Sequence, residues 1–498
     1  MLHFMFVSTS PSGAANSTQP ASSSLARRLR QYLDAGGEIC GPRTRHPEPA
    51  RFFAPPEDFV VLANKPTPPD SDAVTVRMGP PLMGVVRVDG SKNAALPLLA
   101  GAAALGRTVQ VCGIPDSTDV QLMLDLLGPC GYRVARPVNQ PGTAIVLPRP
   151  RGIENLPLPN AARIRASYYL VPALLASQGR ANLPWPGGCS IGDRGMEVHF
   201  KVYAAFGDTV TTHEYGYSVT ASTSCPHEVR IALPFRSRGA GVAAILRAVI
   251  GGHRLLLGNP NLSAETTALL DALTAAGWHI DARPEVLRVE PGGTWVESVS
   301  WSVPGDKIEA GTLACAIAAT GGCGRIEGVR DVDITIVAGL LIRLGVPVFV
   351  EPDALIVCEG SRHTGLPLEA VASLAPGGLD ADFEPSLMAL ALGRPGTHLF
   401  ADTINPGRHG NLLPQLARLG AHIEELTPTE CRLTGPQHLT GATVEATDIR
   451  TGSALLIAGL TAHGSTTVTG LDQLRRGHAD LPAKLRTLGA DIPEVPSR

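Results

Sequence analysis

The chain is poor in aromatic residues and has almost no net charge. Of its 498 residues only 4% are aromatic and 17% are charged, and the formal net charge is -3. Because no excess of basic charge is available to hold a phosphate backbone or an anionic membrane surface, the composition disfavours proteins that bind nucleic acids or membranes. No uninterrupted apolar run approaches the roughly 20 residues that cross a bilayer. The composition therefore predicts a soluble protein.

Paired cysteines and a secretory signal are also missing. The nine cysteines are scattered from Cys40 to Cys431 without a CxxC pair, which argues against a disulfide framework or a zinc site. Residues 1–7 are apolar but have neither a basic flank nor a cleavage site, so we predict no secretory signal. The expected location is the reducing cytoplasm.

The first segment, residues 1–73, is predicted to be a disordered, proline-rich extension. It contains Ser, Pro, Ala and Gly but few large apolar residues that could build a core. Its Arg-rich, acid-poor part also resembles an organelle transit peptide, and this alternative stays open. With 54 Gly and 43 Pro in the whole chain, the remainder is typical of a compact α/β protein with many turns.

From about residue 73 one pattern recurs six times, about 70 residues apart. Each copy is a leucine-rich helix that ends in glycine and is followed by a short apolar strand. Another helix of small residues opens each unit and is rich in Ala and Leu on all faces, which predicts burial on every side. We therefore expect helices inside and sheets outside, in two domains of three units with a ligand cleft between them. The opening helices are predicted at 96–106, 168–179, 243–251, 313–322, 387–396 and 454–464, and the terminal glycines of the second helices are Gly128, Gly207, Gly277, Gly345, Gly420 and Gly489.

A first candidate site lies at the start of the first opening helix, in Gly90-Ser91-Lys92-Asn93. A lysine and an amide in the first turn of a helix form an anion site with the positive end of the macrodipole behind them. A simple helix cap by Ser91 explains part of the same pattern without any function.

A second candidate is the cysteine loop, residues 186–194, which reads Pro-Gly-Gly-Cys-Ser-Ile-Gly-Asp-Arg. A cysteine in a glycine-rich loop near an arginine can have a lowered pKa and act as an acid, a base or a nucleophile. Here these residues are Cys189 and Arg194. The structural alternative is a half-buried cysteine without a chemical role.

A third candidate is a set of arginines that each follow a strand or begin a helix, with one carboxylate, Asp382, among them. If equivalent loops of the repeats converge on the cleft, these side chains favour a substrate with phosphate or carboxylate groups. The arginines are Arg165, Arg408, Arg450 and Arg476.

Taken together, these motifs resemble the enolpyruvyl transferases. The resemblance runs in the same order from about residue 74 to the C-terminus, and the cysteine loop is specific to the branch that acts on UDP-N-acetylglucosamine. The shikimate branch lacks that loop and would read Lys-Ser rather than Lys92-Asn93. The resemblance implies an α/β fold of the inside-out barrel type, with one domain at 92–304 and another formed by 74–91 plus 305–498. The matching segments are 90–95, 165–167, 186–194, 447–450 and 476–477.

The resemblance also implies roles for individual residues. Phosphoenolpyruvate would be held by Lys92, Arg194 and Arg476, with Arg408 and Arg450 completing the positive rim. Cys189 would be the general acid that protonates the methylene carbon, and Asp382 would take the proton of the acceptor hydroxyl. Asn93 and Arg165 would position the acceptor. The resemblance implies no metal, no organic cofactor and no obligate protein partner.

Departures from the family pattern lie where the acceptor would bind. The stretch that contacts the nucleotide reads Arg194-Gly195-Met196-Glu197-Val198, so an acidic residue, Glu197, is kept where the uracil edge is read. The turn that holds the diphosphate becomes Arg236-Ser237-Arg238-Gly239, and two arginines suit a terminal monophosphate better than a bridging diphosphate. The predicted acceptor-binding residues are therefore Glu197, Ser237, Arg238 and Gly239.

The substrates expected from the resemblance are phosphoenolpyruvate and a uridine nucleotide. The favoured acceptor is the 3'-hydroxyl of UMP, as in the UMP enolpyruvyl transferases of nucleoside antibiotic biosynthesis. The first alternative is UDP-N-acetylglucosamine in peptidoglycan synthesis. The second is a catalytically silent paralogue that only binds a nucleotide.

Overall fold

The computed structural model describes residues 73–148, 158–188, 191–192, 195–224, 226–293, 297–360 and 365–493. Residues 1–72, which hold almost all of the predicted extension, lie outside this set, as do Cys189 and Arg194. The extension was predicted to end one residue too late, because Ala73 already belongs to the first strand and pairs with Thr469.

The described residues form a mixed α/β fold. The strands are β1 (Ala73–Arg77), β2 (Met83–Arg87), β3 (Thr108–Cys112), β4 (Arg133–Ala135), β5 (Ala144–Leu147), β6 (Arg180–Pro184), β7 (Thr209–His213), β8 (Gly216–Thr220), β9 (Glu228–Ala232), β10 (Arg254–Gly258), β11 (His279–Ala282), β12 (Val286–Glu290), β13 (Ser298–Ser302), β14 (Cys323–Glu327), β15 (Val348–Glu351), β16 (Ala354–Val357), β17 (Glu369–Val371), β18 (Gly396–Ala401), β19 (Ile423–Thr427), β20 (Glu430–Gly435), β21 (Thr443–Glu445) and β22 (Ser465–Thr469). The α-helices are α1 (Lys92–Ala104), α2 (Thr118–Leu127), α3 (Leu170–Gln178), α4 (Glu197–Ala205), α5 (Arg238–Gly251), α6 (Ala264–Ala275), α7 (Lys307–Thr320), α8 (Asp331–Arg343), α9 (Glu384–Ala391), α10 (Arg408–Arg418), α11 (Ile449–Gly459), α12 (Leu471–Arg475) and α13 (Leu481–Thr487). Short 3-10 helices cover Pro159–Arg163, Arg165–Tyr169 and Ala381–Phe383.

The strands group into six small sheets. Each sheet contains three or four strands, in the orders β1-β22-β21, β2-β14-β16-β15, β4-β5-β3-β13, β7-β8-β6, β9-β10-β12-β11 and β17-β18-β20-β19. Five of them include a parallel pair of strands, whereas β6, β7 and β8 pair only antiparallel.

Six helices overlap the predicted opening segments and are buried on nearly every face: α1, α3, α5, α7, α9 and α11. All of them except α3 begin three to six residues before the predicted start. In α7, for example, thirteen of its fourteen residues are buried. Small residues allow such close packing. A side-chain carbon at Gly311 of α7 would overlap the ring of Phe383, at the end of the 3-10 helix that carries Asp382. No helix within the described residues is long and apolar enough to span a membrane.

The second helices end as predicted in five of six units, where the terminal glycine has a positive φ between 77° and 96°. The prediction for Gly128 is wrong, because its φ is -57° and it still has helical backbone. The chain turns three residues later at Gly131, which has a φ of 86° and whose N–H donates to the Gly128 carbonyl at 2.8 Å.

Buried apolar side chains form two separate cores. The first core draws its residues from 94–303, and the second combines residues from 74–88 and 308–492. The chain passes between them at two adjacent points, where Gly90 and Gly305 form an isolated antiparallel bridge. There the Ser91 N–H donates to the Pro304 carbonyl at 2.7 Å, and the Asp306 N–H donates to the Asp89 carbonyl at 2.8 Å. The division into two domains of three units stays a prediction.

Candidate active site

A cavity of about 1180 Å³ has walls made of residues from both core regions. The first turns of the six buried helices, or the 3-10 turns that lead into them, line it. Because helix N-termini carry partial positive charge and unpaired N–H groups, their convergence favours an anionic ligand. One lining residue from each of these turns is Lys92, Arg165, Ser237, Lys307, Asp382 and Arg450.

Every predicted site residue that the structure describes lines this cavity. They are Lys92, Asn93, Arg165, Glu197, Ser237, Arg238, Gly239, Asp382, Arg408, Arg450 and Arg476. The two remaining predictions, Cys189 and Arg194, lie outside the described residues, but their neighbours Gly188 and Gly195 line the same cavity.

The described parts of the cysteine loop lie close to two predicted site residues, Arg165 and Arg476. A side-chain carbon at Gly188 would lie 3.1 Å from Cβ of Arg165 and 3.7 Å from Nη2 of Arg476. Farther along, the Gly407 N–H donates to the Ile191 carbonyl at 3.2 Å. The loop therefore contacts both the 3-10 turn of Arg165 and the start of α10.

Asp119 connects two of the predicted cations. Its Oδ2 lies 3.3 Å from Nζ of Lys92, and its Oδ1 accepts from Nε of Arg476 at 3.0 Å. Lys92 begins α1, and Asp119 is in the first turn of α2. The carboxylate is buried and aligns both cations toward the cavity, since charge-assisted hydrogen bonds restrict their geometry.

Asp382 joins two more of the predicted cations. Arg408 donates from Nη2 to Oδ1 at 2.9 Å, and Arg450 donates from Nη2 to Oδ2 at 3.0 Å. Burial alone would raise the pKa of Asp382, but the charges of Arg450 and Arg408 outweigh burial and hold its pKa well below the usual range. Asp382 is therefore ionised near neutral pH. We call the six residues Lys92, Asp119, Asp382, Arg408, Arg450 and Arg476 the cationic wall.

Buried polar groups hold the two arginines of the cationic wall from behind. Arg450 donates from Nη1 to Nε2 of His478 at 3.1 Å. Arg408 donates from Nη1 to the Ala381 carbonyl at 2.6 Å and lies 3.4 Å from the Asp402 carboxylate. These contacts fix the planes of both guanidinium groups, so that Asp382 meets rigid partners.

A second charged group lies on another part of the cavity. Nη2 of Arg238 lies 3.5 Å from Glu265 and 3.3 Å from Asp380, and Nζ of Lys307 lies 3.4 Å from Glu265 and 3.0 Å from Asp380. Each cation thus contacts both carboxylates. Burial opposes ionisation of Glu265, but Arg238 and Lys307 lower its pKa to about 2. We call Arg238, Glu265, Lys307 and Asp380 the balanced ring.

The neighbouring Arg236 has a different environment from the one expected of a phosphate-binding arginine. Its Nη1 donates to the carbonyls of Pro260, at 2.9 Å, and Pro284, at 2.5 Å. Ser237 caps α5 by accepting from the Ala240 N–H at 3.2 Å. Of the two arginines in this turn, Arg238 is the one that begins the helix.

His199 was not among the predicted binding residues, although it lines the cavity. It is only 5% exposed, and neither ring nitrogen has a hydrogen-bond partner. Its ring packs 4.6 Å from that of Tyr168, and a side-chain carbon at Gly239 would lie 2.7 Å from Nε2. Burial, and secondarily the charge of Arg165, lowers the pKa of His199 to about 3, so the imidazole is neutral near pH 7.

Besides His199 and Asp380, four more residues of the site were missed or misplaced in the sequence predictions. Arg476 was expected just after a strand or at a helix start, but it directly follows α12. A site role for Asp119 could not be recognised from the sequence, because an acidic residue in the first turn of a helix is common. Lys307 could have been found, because Asp306-Lys307 repeats the pattern of Ser91-Lys92, a cap followed by a cation. Glu265 resembles any other acid at a helix start.

Comparison with known proteins identifies the family. The profile of EPSP synthase (3-phosphoshikimate 1-carboxyvinyltransferase) matches residues 76–485. The chain belongs to this family. It is therefore an enolpyruvyl (carboxyvinyl) transferase, and the resemblance noted in the sequence is confirmed.

Among curated relatives, UDP-N-acetylglucosamine 1-carboxyvinyltransferase 2 of Listeria monocytogenes is 32% identical over 85% of this chain and 97% of its own length. The protein of the same name from Carboxydothermus hydrogenoformans is 33% identical over 83% of this chain and 97% of its own length.

Among solved structures, the enolpyruvyl transferase NikO from Streptomyces tendae superposes with a TM-score of 0.74 at 26% identity, covering 84% of this chain and 98% of that one. EPSP synthase from Acinetobacter baumannii superposes with a TM-score of 0.66 at 20% identity, over 85% of this chain and 100% of that one. The latter likeness shows the shared α/β fold alone.

Proposed function

We propose that this protein transfers the enolpyruvyl group of phosphoenolpyruvate to a hydroxyl of a uridine nucleotide and releases phosphate, with the 3'-hydroxyl of UMP as the favoured acceptor. The observation that carries the proposal is the cationic wall, in which Asp382 lies ionised between two rigid arginines at one cavity. The same wall thus supplies cations that can bind an anionic substrate and a carboxylate, Asp382, that can act as a base.

The cationic wall suits phosphoenolpyruvate, which has a carboxylate and a phosphate. Each carboxylate of the wall contacts two cations, so the wall has more positive than negative groups facing the cavity. Arginine binds such groups through paired hydrogen bonds. In the proposal Lys92 and Arg476 hold phosphoenolpyruvate together with Arg194, and Arg408 and Arg450 complete the rim.

The proposed reaction is an addition followed by an elimination. Cys189 donates a proton to the methylene carbon, which makes the adjacent carbon electrophilic. The acceptor hydroxyl adds there and its proton passes to Asp382, giving a tetrahedral ketal. Loss of a proton from the new methyl group then breaks the bond to the phosphate oxygen, and phosphate leaves.

Asp382 becomes a better base when phosphoenolpyruvate is bound. In the structure, Arg450 and Arg408 keep its pKa low, which makes the carboxylate a weak proton acceptor. A bound phosphate would share these guanidinium groups and weaken their effect on Asp382, because each arginine would then neutralise two anions. The basicity of Asp382 therefore rises only when phosphoenolpyruvate is bound.

The acceptor is proposed to bind along the opposite part of the cavity. Asn93 and Arg165 position its hydroxyl, and Glu197 reads the uracil edge. A side-chain carbon at Gly195 would overlap the Glu197 carboxylate, so the glycine beside it leaves room for that side chain. The acceptor's phosphate lies at the start of α5, against Ser237, Arg238 and Gly239.

The architecture is interpreted as an inside-out α/β barrel of two domains, 92–304 and 74–91 plus 305–498. The two cores and the paired chain crossings near Gly90 and Gly305 support this interpretation. A cavity with walls from both domains would close around two substrates and exclude water, and positioning accounts for a large part of the rate gain in such an addition.

The proposal is tested by measuring phosphate release from phosphoenolpyruvate with UMP, UDP-N-acetylglucosamine or shikimate 3-phosphate, with mass analysis of each product. We expect turnover with UMP and a product heavier by one enolpyruvyl group. Turnover only with UDP-N-acetylglucosamine would contradict the favoured acceptor and support the alternative, which the names of the curated relatives favour. Absence of turnover with any of them would contradict the proposed function.

Cys189→Ala tests the proposed acid. We expect phosphate release with the competent acceptor to fall by about 10²- to 10⁴-fold, the range typical of a lost general acid. Cys358→Ala is the matched control, because Cys358 is half-buried and does not line the cavity. Unchanged activity of Cys189→Ala would remove Cys189 from the mechanism.

A further inference from the structure

The balanced ring is a closed set of four charges, two of each sign. Its ion pairs are poorly screened, because the side chains of Glu265, Lys307 and Asp380 are 2%, 10% and 18% exposed. Arg238 and Glu265 come from the region of the first core, and Lys307 and Asp380 from that of the second. The cations of the ring therefore do not offer a full free charge to a ligand.

An anion site adjoins the ring at the start of α5, a helix of fourteen residues. Its N-terminal turn lines the cavity through Ser237, Arg238 and Gly239. His199 supplies an independent sign of a ligand, because its buried imidazole has no partner and Nε2 lies beside Gly239. Burying a nitrogen without a hydrogen-bond partner costs free energy, and a ligand that hydrogen-bonds to that nitrogen removes the cost.

We propose that Asp380 is a specificity-determining residue that limits the negative charge of the acceptor. This inference rests on the proposed function, in which the acceptor's phosphate binds at the start of α5. Asp380 contacts both Arg238 and Lys307 and itself lines the cavity, whereas Glu265 of the same ring does not. The Asp380 carboxylate both neutralises these cations and repels a further phosphate.

A monophosphate is accommodated by the helix N-terminus, by Arg238 and by the imidazole of His199. A second phosphate brings additional negative charge to a place where the two cations already have two carboxylate partners. Because the site is shielded from water, that repulsion is stronger than at an exposed surface. The ring therefore selects a nucleoside monophosphate over a diphosphate.

Asp380→Asn is the decisive variant, because it removes the charge and preserves the shape. The Oδ1 atom of Asp380 accepts from the Asp382 N–H at 3.1 Å, and an asparagine oxygen can keep this hydrogen bond. The turn that carries Asp382 is thus expected to hold. Asp380→Glu retains the charge, and Asp271→Asn removes an exposed carboxylate of the same cavity that has no ion pair with the ring.

The experiment measures kcat and KM for UMP and for UDP-N-acetylglucosamine, and the dissociation constants of uridine, UMP and UDP. For Asp380→Asn we expect the preference for UMP over the diphosphate acceptor to fall by at least tenfold through KM, with UDP gaining most in affinity and uridine least. Asp380→Glu and Asp271→Asn should keep the wild-type preference.

An unchanged order of affinities in Asp380→Asn, with UMP turnover intact in the wild type, would overturn the inference and leave the proposed function standing. A loss of kcat alone, equal for all acceptors, would also overturn it, because it would indicate a merely structural role. If the wild type bound uridine nucleotides without transferring enolpyruvate, the proposed function would fail, and the affinity series would still decide the role of Asp380. Failure of every nucleotide to bind would contradict both proposals.

Discussion

The cationic wall and the balanced ring use the same residue types in different proportions, with four cations to two carboxylates in the wall and two to two in the ring. In the wall each carboxylate contacts two cations, so that Asp119 joins Lys92 and Arg476. In the ring each cation contacts two carboxylates, as Lys307 does with Glu265 and Asp380. One cavity thus contains a site suited to a multiply charged anion and another in which charge is already neutralised. The difference shows that the arrangement of partners, rather than the number of arginines, determines what a charged pocket can bind.

The largest expected effect comes from removing a cation of the wall. Arg476→Met should lower kcat/KM for phosphoenolpyruvate by about 10³-fold, because a positioned donor to developing charge is lost and Asp119 keeps only Lys92. Steady-state kinetics with phosphoenolpyruvate varied at saturating acceptor measures it. Arg432→Met, at an exposed ion pair with Glu424, should have wild-type kinetics. A comparable loss in that control would mean that the effect is not specific to the wall.

The second expected effect concerns stability and the ring. Glu265→Gln should lower the free energy of unfolding by about 3 kcal/mol, because it leaves the buried Lys307 and the half-buried Arg238 with one carboxylate, Asp380. Chemical denaturation near pH 7 measures the change. The control Glu228→Gln alters an exposed pair with Arg230 and should change stability by less than about 1 kcal/mol. Equal effects of the two variants would contradict the idea that the ring is a tightly coupled unit.

The smallest expected effect is the pH dependence contributed by His199. Its pKa is about 3 in the folded protein against 6.5 in the unfolded chain, so between these values the unfolded chain binds more protons. Its contribution to stability is complete above about pH 6.5 and is lost as the pH falls toward 3. Between pH 7 and pH 5 the wild type should therefore lose about 2 kcal/mol more than His199→Gln.

This comparison is measured by denaturant unfolding at the two pH values. His279→Gln, at an exposed strand position, should lose as much stability as the wild type. If His199→Gln did so too, the buried imidazole would not be neutral in the folded protein. Binding of UMP should in turn diminish the effect in the wild type, because a phosphate near Nε2 favours the protonated ring.

Much of the fold and of the site could be predicted from local patterns. The segments of small residues became helices buried on all faces, and Ser91 caps α1 as its position suggested. Lys92 and Arg408 each begin a helix at the cavity. A cation in the first turn of a helix is unfavourable in isolation, so its presence there indicates a nearby carboxylate or a bound anion. Gly128 was mispredicted because a leucine-glycine pair does not specify which later residue makes the turn.

The partners of the predicted cations could not be read from the sequence. Asp119 and Arg476 are 357 positions apart, and Arg238 and Asp380 are 142 apart, so no spacing rule connects them. The sequence suggested that Arg236 and Arg238 act alike, yet one donates to backbone carbonyls and the other to carboxylates. Such pairings arise only when distant helices pack their first turns against one cavity.

The sequence by itself determined which helices are buried, which family the chain resembles and which cations and carboxylate are candidates for chemistry. These features depend on side-chain size, periodicity and capping, which act between neighbours in the chain. Only the tertiary structure decided that Asp382 is held between Arg408 and Arg450, that Asp119 joins Lys92 to Arg476, and that Asp380 neutralises Arg238. Those contacts set the charge available to a ligand, and electrostatic interactions depend on distance in space rather than on separation along the chain.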